Sequence, residues 1–333
     1  MSGGSITSNC RTIETQPFSP FPRKENLMTK FHTSCLIAGL LSTILVGSSA
    51  AALLGNGQPD PGFNGNAMQL WLRADSGVDN PGGLVGTWSD RSTHGRDAVA
   101  DDDALKPTHI AGAQGERDVL NFIDNGERMR LPASLNSVFS GAFTVFMLVA
   151  PDVTDPNRDE LWFGSIDSSG GGTNRLFHGT DGNGNPTGLN TLFKADGNNA
   201  NTNIAPTPIV GGEFTLVSYV NENLGGLNSV YIDGAATPAV STASVDNSDF
   251  ANVVTTPCVG AACWQADGFA WPNSSNTLKG QFAEIVIYAG ALAEADRQAV
   301  EQYLIAYPEP GSMVLLAAGC VTLVVRRRRR GSR

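Results

Sequence analysis

Short apolar or alternating runs, each fenced by Gly, Asn, Asp or Pro, repeat through the middle of the chain. That punctuation predicts an all-β fold. The predicted strands cover 68–72, 84–88, 119–123, 128–131, 143–150, 160–166, 175–177, 188–194, 214–221, 229–232, 253–257 and 281–288. Residues 143–149 (Phe-Thr-Val-Phe-Met-Leu-Val) are almost continuously apolar, so they predict a central strand covered on both faces. Residues 214–220 alternate more cleanly and predict a half-buried strand. Asp233-Gly234, after Val230-Tyr231-Ile232, is a hairpin turn signal. One helix is expected at 293–306. Glu294 and Asp296 suit its positive end, Val300, Tyr303, Leu304 and Tyr307 make one stripe, and Pro308 stops it. A single short helix after the last strand is expected at an edge or end of the sheets. Ten or more short strands need two layers to bury their apolar faces, which predicts a sandwich.

The ends of the chain follow a different pattern. After Lys30, residues 35–46 are largely apolar, and Gly47-Ser48-Ser49-Ala50-Ala51-Ala52 follows. A basic start, an apolar centre and small residues at a cleavage site make a secretory signal peptide, read here as 28–52. Residues 1–27 fit no part of such a signal and are read as an upstream-start artefact; 53–66 form a linker. At the other end Pro308, Glu309 and Pro310 precede an apolar run at 311–325, and Arg326, Arg327, Arg328, Arg329 and Arg330 follow it. Proline breaks the preceding helix, the run partitions into hydrocarbon, and the arginines stay on the cytoplasmic side. As a helix the run is about 22 Å long, short against a hydrocarbon core of roughly 30 Å. This suits a transient processing signal better than a permanent anchor. The tripartite tail at 308–330 resembles the PEP-CTERM sorting signal. The resemblance implies recognition and removal by an exosortase-type enzyme, with transient anchoring in the membrane and delivery to the cell surface or beyond.

Between these ends the chain is strongly acidic. Residues 53–307 hold 12 Lys and Arg against 29 Asp and Glu, whereas the whole-chain net charge of −10 includes the basic ends. A surface of this sign argues against nucleic acid, whose binding rests on phosphate neutralisation. Neutral sugars and divalent cations remain compatible. Only Cys258 and Cys263 fall in this segment, and in an oxidising compartment such a close pair forms a disulfide. The loop it closes is small, so its effect is local shape more than global stability.

Two stretches make the middle specific. Leu70-Trp71-Leu72-Arg73-Ala74-Asp75-Ser76-Gly77-Val78 is followed by Trp88-Ser89-Asp90-Arg91-Ser92 and Gly95-Arg96-Asp97-Ala98. Near the end, Phe282-Ala283-Glu284-Ile285-Val286-Ile287-Tyr288 precedes Ala291-Leu292 and the helix. Together they resemble laminin-G-like domains of the concanavalin A-like lectin/glucanase jelly rolls, over the whole of 67–307. The resemblance implies two curved antiparallel sheets face to face, with the first and last strands paired in one sheet. That architecture hosts lectins, hydrolases and inert spacers alike, so activity does not follow from it. Asp90 with Arg91 and Arg96 with Asp97 are expected to form salt bridges around a turn holding His94. Trp71 and Trp88 are expected in the core or at a sheet edge, and Trp162 is expected to face the sheet.

No catalytic set stands out. Retaining glycosidases need two carboxylates about 5 Å apart, and no strand here alternates acids: Glu284 is alone, and Asp159 and Glu160 point to opposite faces. His178 near Asp181 is a weak pairing. The stretch 181–186 starts like a calcium loop but has Pro186 at the sixth place and Leu192 at the twelfth. It and 196–199 are read as tight turns; no cofactor or metal is assigned, with weak calcium binding at 181–186 the alternative. The binding candidate is 258–276, where Trp264, Phe269 and Trp271 interleave with Gln265, Asp267, Asn273 and Asn276. Aromatic faces stack on sugar rings while amides and carboxylates meet hydroxyls; the competing reading is a small apolar cap on the sandwich. The expected function is therefore a non-catalytic surface or matrix protein that binds extracellular polysaccharide. The alternatives are a structural or adhesive spacer and a polysaccharide-degrading enzyme.

Overall fold

The apolar run at 143–149 becomes a strand buried on both sides, and the molecule is layered around it. The computed structural model describes residues 58–60, 67–113, 117–123, 126–152, 160–166, 175–180, 189–195, 198–204, 210–244, 247, 250, 256–263 and 277–305. In chain order the strands are β1 (Met68–Arg73), β2 (Thr87–Trp88), β3 (Ala98–Val99), β4 (Thr108–Ile110), β5 (Val119–Ile123), β6 (Met129–Arg130), β7 (Phe143–Pro151), β8 (Glu160–Ile166) and β9 (Arg175–Thr180). They continue with β10 (Leu189–Ala195), β11 (Asn198–Ile204), β12 (Thr215–Asn221), β13 (Leu227–Ile232), β14 (Val240–Ala243), β15 (Cys258–Val259), β16 (Ala262–Cys263) and β17 (Lys279–Ala289). A one-turn helix, α1 (Asn136–Phe139), precedes β7, and α2 (Glu294–Ile305) follows β17. The stretch read as a signal peptide (28–52), all of the linker except 58–60, Tyr307 and the tail at 308–330 lie outside the described residues. Among the described residues no helix is long and apolar enough to cross a membrane.

The strands form two sheets. One runs β14-β13-β12-β7-β17-β5-β4, with β1 paired to the distal half of β17; the other runs β11-β10-β9-β8-β15-β6-β3-β2, with β16 paired to β8. All the pairings are antiparallel except that of β16 with β8. The first and last strands do pair, in register from Leu70 opposite Ile287 to Arg73 opposite Glu284. The two sheets enclose one core, built by Leu70, Leu72, Val145, Met147, Val149, Val217, Ile285 and Ile287 from the first and Trp88, Met129, Phe163, Leu176 and Val259 from the second. Together they make a β-sandwich.

A second apolar layer lies outside the first sheet. Because side chains alternate along a strand, Phe146 and Leu148 of β7 face away from the sandwich core, as do Val286 and Tyr288 of β17. With Trp71 and Leu216 they meet Val300 and Leu304 of α2. The helix therefore sits on a sheet face, not at the edge or end expected from its length. An apolar outer face left in water would be unfavourable by about 25 cal/mol per Å², and α2 is the element that covers it. The same cover explains why β12 is buried along its whole length, and not half buried as its alternation suggested. Val217 and Tyr219 face the core, while Leu216 lies in the helix-side layer.

Two further expectations change. Asn198 and Asn199, read as part of a turn, open β11 and pair with Ala195 and Lys194. The run 84–88 yields only the two residues of β2, with Leu84 reaching Thr108 through an isolated bridge. The tight turn is as expected: Asp233 and Gly234 have φ of 50° and 72°, and the Ala235 N–H closes the turn by donating to the Ile232 carbonyl at 3.0 Å, while the Asp233 carboxylate accepts from the Leu216 N–H of β12 at 2.9 Å.

Candidate functional site

The aromatic binding candidates Trp264, Gln265, Asp267, Phe269, Trp271 and Asn273 lie outside the described residues, but both ends of their segment are described. Cys258 and Cys263 form the expected disulfide, with Cα atoms 5.5 Å apart. Both cysteines are buried with Ala261 in a small cluster of their own. Gly260 makes the tight turn between them at φ 82°; a Cβ there would meet Phe122 at 2.5 Å. Cys263 pairs with Ser165 of β8, and Thr277 bridges Leu161 of the same strand. The residues that flank the segment 264–276, Cys263 and Thr277, thus both lie beside β8, and Cys263 is held by the disulfide. The processing residues Pro308, Glu309, Pro310, Arg326, Arg327 and Arg328, and the turn at 181–186 with Asp181, fall outside the described residues.

The other singled-out residues serve the fold. His178 is buried between Phe163, stacked at 6.3 Å, and Tyr219, edge-on at 5.0 Å; burial pushes its imidazole pKa down to about 3. It is held neutral in the core. Trp88 and Trp162 are fully buried, and Trp71 lies under α2. The expected salt bridges at the 90–97 turn do not form. Asp90 instead accepts from the backbone N–H groups of Trp71, Ser92 and Arg96 at 2.8–2.9 Å and from the Ser92 hydroxyl at 2.7 Å. Arg96 donates to the backbone and side-chain oxygens of Gln69, at 3.0 and 2.7 Å. A carboxylate surrounded by turn N–H groups satisfies more donors than one paired with a flexible arginine beside it. His94 is exposed in that turn.

Glu284 is the carboxylate that sequence alone misplaces. A β-bulge at Ala283 shifts the register between Phe282 and Glu284, so Ala283 and Glu284 both face α2. Glu284 Oε1 accepts from the Trp71 indole at 2.6 Å and the Tyr303 hydroxyl at 3.1 Å, with Arg73 Nε at 3.9 Å. Burial raises its pKa to about 7, against the opposing pull of Arg73 and the two donors. It is buried between helix and sheet and does not line the groove described next.

The open face lies beyond α2. At the proximal end of β17 the outward positions change from apolar to polar: Val119 gives way to Asn121, and Ala283 to Gln281 and Lys279. Here a groove of about 370 Å³ opens, floored by Asn121, Gln281 and Ala150 and walled by Ile123, the Lys279–Asp152 ion pair and Gly211-Gly212. Asn121 and Gln281 stand opposite each other across the β5–β17 ladder. Lys279 Nζ and Asp152 Oδ2 are 2.7 Å apart and partly exposed. Sequence reading missed this groove because its residues come from four separate segments, each unremarkable alone. Among the described residues no cluster of His, Cys, Asp and Glu is arranged to hold a metal.

No family model matches the chain, and no curated protein does. Solved structures with some likeness include the Trypanosoma rangeli sialidase in complex with sialic acid, at 15% identity and a TM-score of 0.47, covering 72% of this chain and 33% of that one. Another is domain 4 of AbnA, a GH43 extracellular arabinanase from Geobacillus stearothermophilus, in complex with arabinotriose, at 18% identity and 0.45, covering 71% and 98%. A third is the binding domain of botulinum neurotoxin DC in complex with rat synaptotagmin II, at 11% and 0.46, covering 72% and 52%. The chain spans about a third of the length of the sialidases it matches. These likenesses are too distant to bear on its chemistry.

Proposed function

We propose that the chain is an exported cell-surface or extracellular protein that binds polysaccharide without acting on it, its jelly-roll sandwich presenting the segment 264–276 as the binding element. The observation that carries the binding half is the stem of that segment. A sequence with three aromatic rings among amides and acids is flanked by Cys263, held by the disulfide, and Thr277, both beside β8. Short loops held at both ends lose less entropy on binding, and aromatic rings flanked by hydrogen-bonding groups suit sugars. Export rests on the signal peptide at 28–52 and the PEP-CTERM-like tail at 308–330, and a disulfide suits an oxidising compartment. Removal of the tail by an exosortase-type enzyme belongs to the same proposal.

The non-catalytic reading is supported by the state of two buried acids. Glu284 is engaged by Trp71 and Tyr303 under a helix, and Glu301 is paired with Arg297 at 2.6 Å. Neither faces the groove. Retention of the purified protein on immobilised extracellular polysaccharide tests the proposal. Retention should weaken in Trp264→Ala and Trp271→Ala; no retention on any polysaccharide, with or without calcium, would remove the binding half. Release of new reducing ends by the purified protein would overturn the non-catalytic half.

A further inference from the structure

We infer that the outer-face groove at Asn121 and Gln281 is a second binding site, and that it takes a segment of a neutral polysaccharide. The inference rests on the polysaccharide-binding reading above and adds a place and a charge class to it.

The groove differs from an ordinary solvated sheet face in three ways. First, its two floor amides are adjacent across the ladder, and neither Asn121 nor Gln281 has a side-chain hydrogen-bond partner among the described residues. Two neighbouring amides offer two carbonyl acceptors and two NH₂ donors, which match the paired donor and acceptor character of sugar hydroxyls. Second, apolar surface stands at the rim. Ile123 is 54% exposed inside the groove and Val210, next to the Gly211-Gly212 wall, is 52% exposed. A sugar ring presents C–H patches as well as hydroxyls, and a site of mixed amides and aliphatic groups satisfies both. Third, the charges of the described lining residues cancel. Lys279 is paired with Asp152 at 2.7 Å, in a segment that elsewhere carries a large acidic excess. An anionic polymer would meet a repulsive surface with no free cation among the described residues of the groove, and a cationic one would be drawn to the acidic surface elsewhere. A neutral chain is the ligand that this balance favours.

Among the described residues the groove is left open. α2 covers the apolar half of the sheet and stops at Ile305, where Arg117 donates to the last carbonyls, those of Leu304 and Ile305, at 2.8 and 3.1 Å. Gly280 allows β17 to approach β7: a Cβ there would come within 2.4 Å of the Ala150 carbonyl.

Native affinity electrophoresis of the protein as isolated from cells tests the inference, with laminarin and galactomannan as neutral polymers in the gel and alginate as the anionic one. The wild type should be retarded by a neutral polymer. Asn121→Ala/Gln281→Ala should lose at least ten-fold in retardation, as should the near-isosteric Asn121→Asp/Gln281→Glu, which keeps the shape and adds charge. Unchanged retardation in both pairs, with loss only in Trp264→Ala or Trp271→Ala, would overturn the groove and leave the binding proposal standing. Stronger retardation by alginate than by either neutral polymer would overturn the neutral class. Failure of the wild type in every gel would overturn the groove and the parent proposal together.

Discussion

Glu284 of β17 accepts a hydrogen bond from the Trp71 indole of β1 at 2.6 Å, although the two residues are 213 positions apart in the chain. The bond ties the last strand to the first, and the Tyr303 hydroxyl, at 3.1 Å from the same oxygen, brings the helix into the same junction. Burial raises the folded pKa of Glu284 from 4.5 to about 7. The protonated carboxyl is therefore favoured in the folded state, and its contribution is complete below pH 4.5 and lost as pH rises to about 7. The loss amounts to about 3 kcal/mol. In Glu284→Gln the side-chain oxygen still accepts both bonds but does not titrate. Denaturant unfolding across pH 4.5–8 should show the variant gaining on the wild type as pH rises; parallel profiles would contradict this assignment.

His178 acts in the opposite direction. Its folded pKa is pushed from 6.5 to about 3, so its contribution is complete above pH 6.5 and is lost as pH falls toward 3. The loss reaches about 5 kcal/mol if the imidazole stays buried when charged. His178→Phe, which stacks in the same place between Phe163 and Tyr219, should unfold at lower pH than the wild type in an acid titration followed by circular dichroism. An unshifted acid transition would show that other groups govern acid unfolding.

The disulfide gives a third expectation. For its short loop, cross-linking stabilises by about 2 kcal/mol in the chain-entropy picture. Cys258→Ser/Cys263→Ser should lower unfolding stability by about that amount and weaken polysaccharide retention more than Leu304→Ala does. Leu304 of α2 is fully buried between the helix and the first sheet, away from the β8 stem, and its truncation should destabilise by about 2–5 kcal/mol. Thermal melts of both variants beside the retention assay check this. Equal loss of retention at equal loss of stability would mean that the staple acts only through global stability.

The parts of the fold that read clearly in the sequence are those whose environment is set within one strand. The apolar run of β7 required cover on both faces and has it, and Asp233-Gly234 could hardly be anything but a tight turn, with both φ values positive. What escaped depends on partners. β11 is rich in Asn and reads as loop, yet it is a strand because β10 offers it a full ladder. The orientation of Glu284 depends on one extra residue at Ala283, which alternation cannot reveal. The groove exists only through the register that sets Asn121 against Gln281. Of the binding residues named from sequence, the structure describes the stem at Cys258 and Cys263, which is where the aromatic segment begins.

Intact-mass determination of the native protein, recovered separately from cells and from the medium, tests export most directly. The account predicts a species outside the cytoplasm that lacks residues up to about Ala52 at one end and the arginine block at the other, with two hydrogens missing for the Cys258–Cys263 bond. A full-length, reduced chain found only in the cytosol would contradict it.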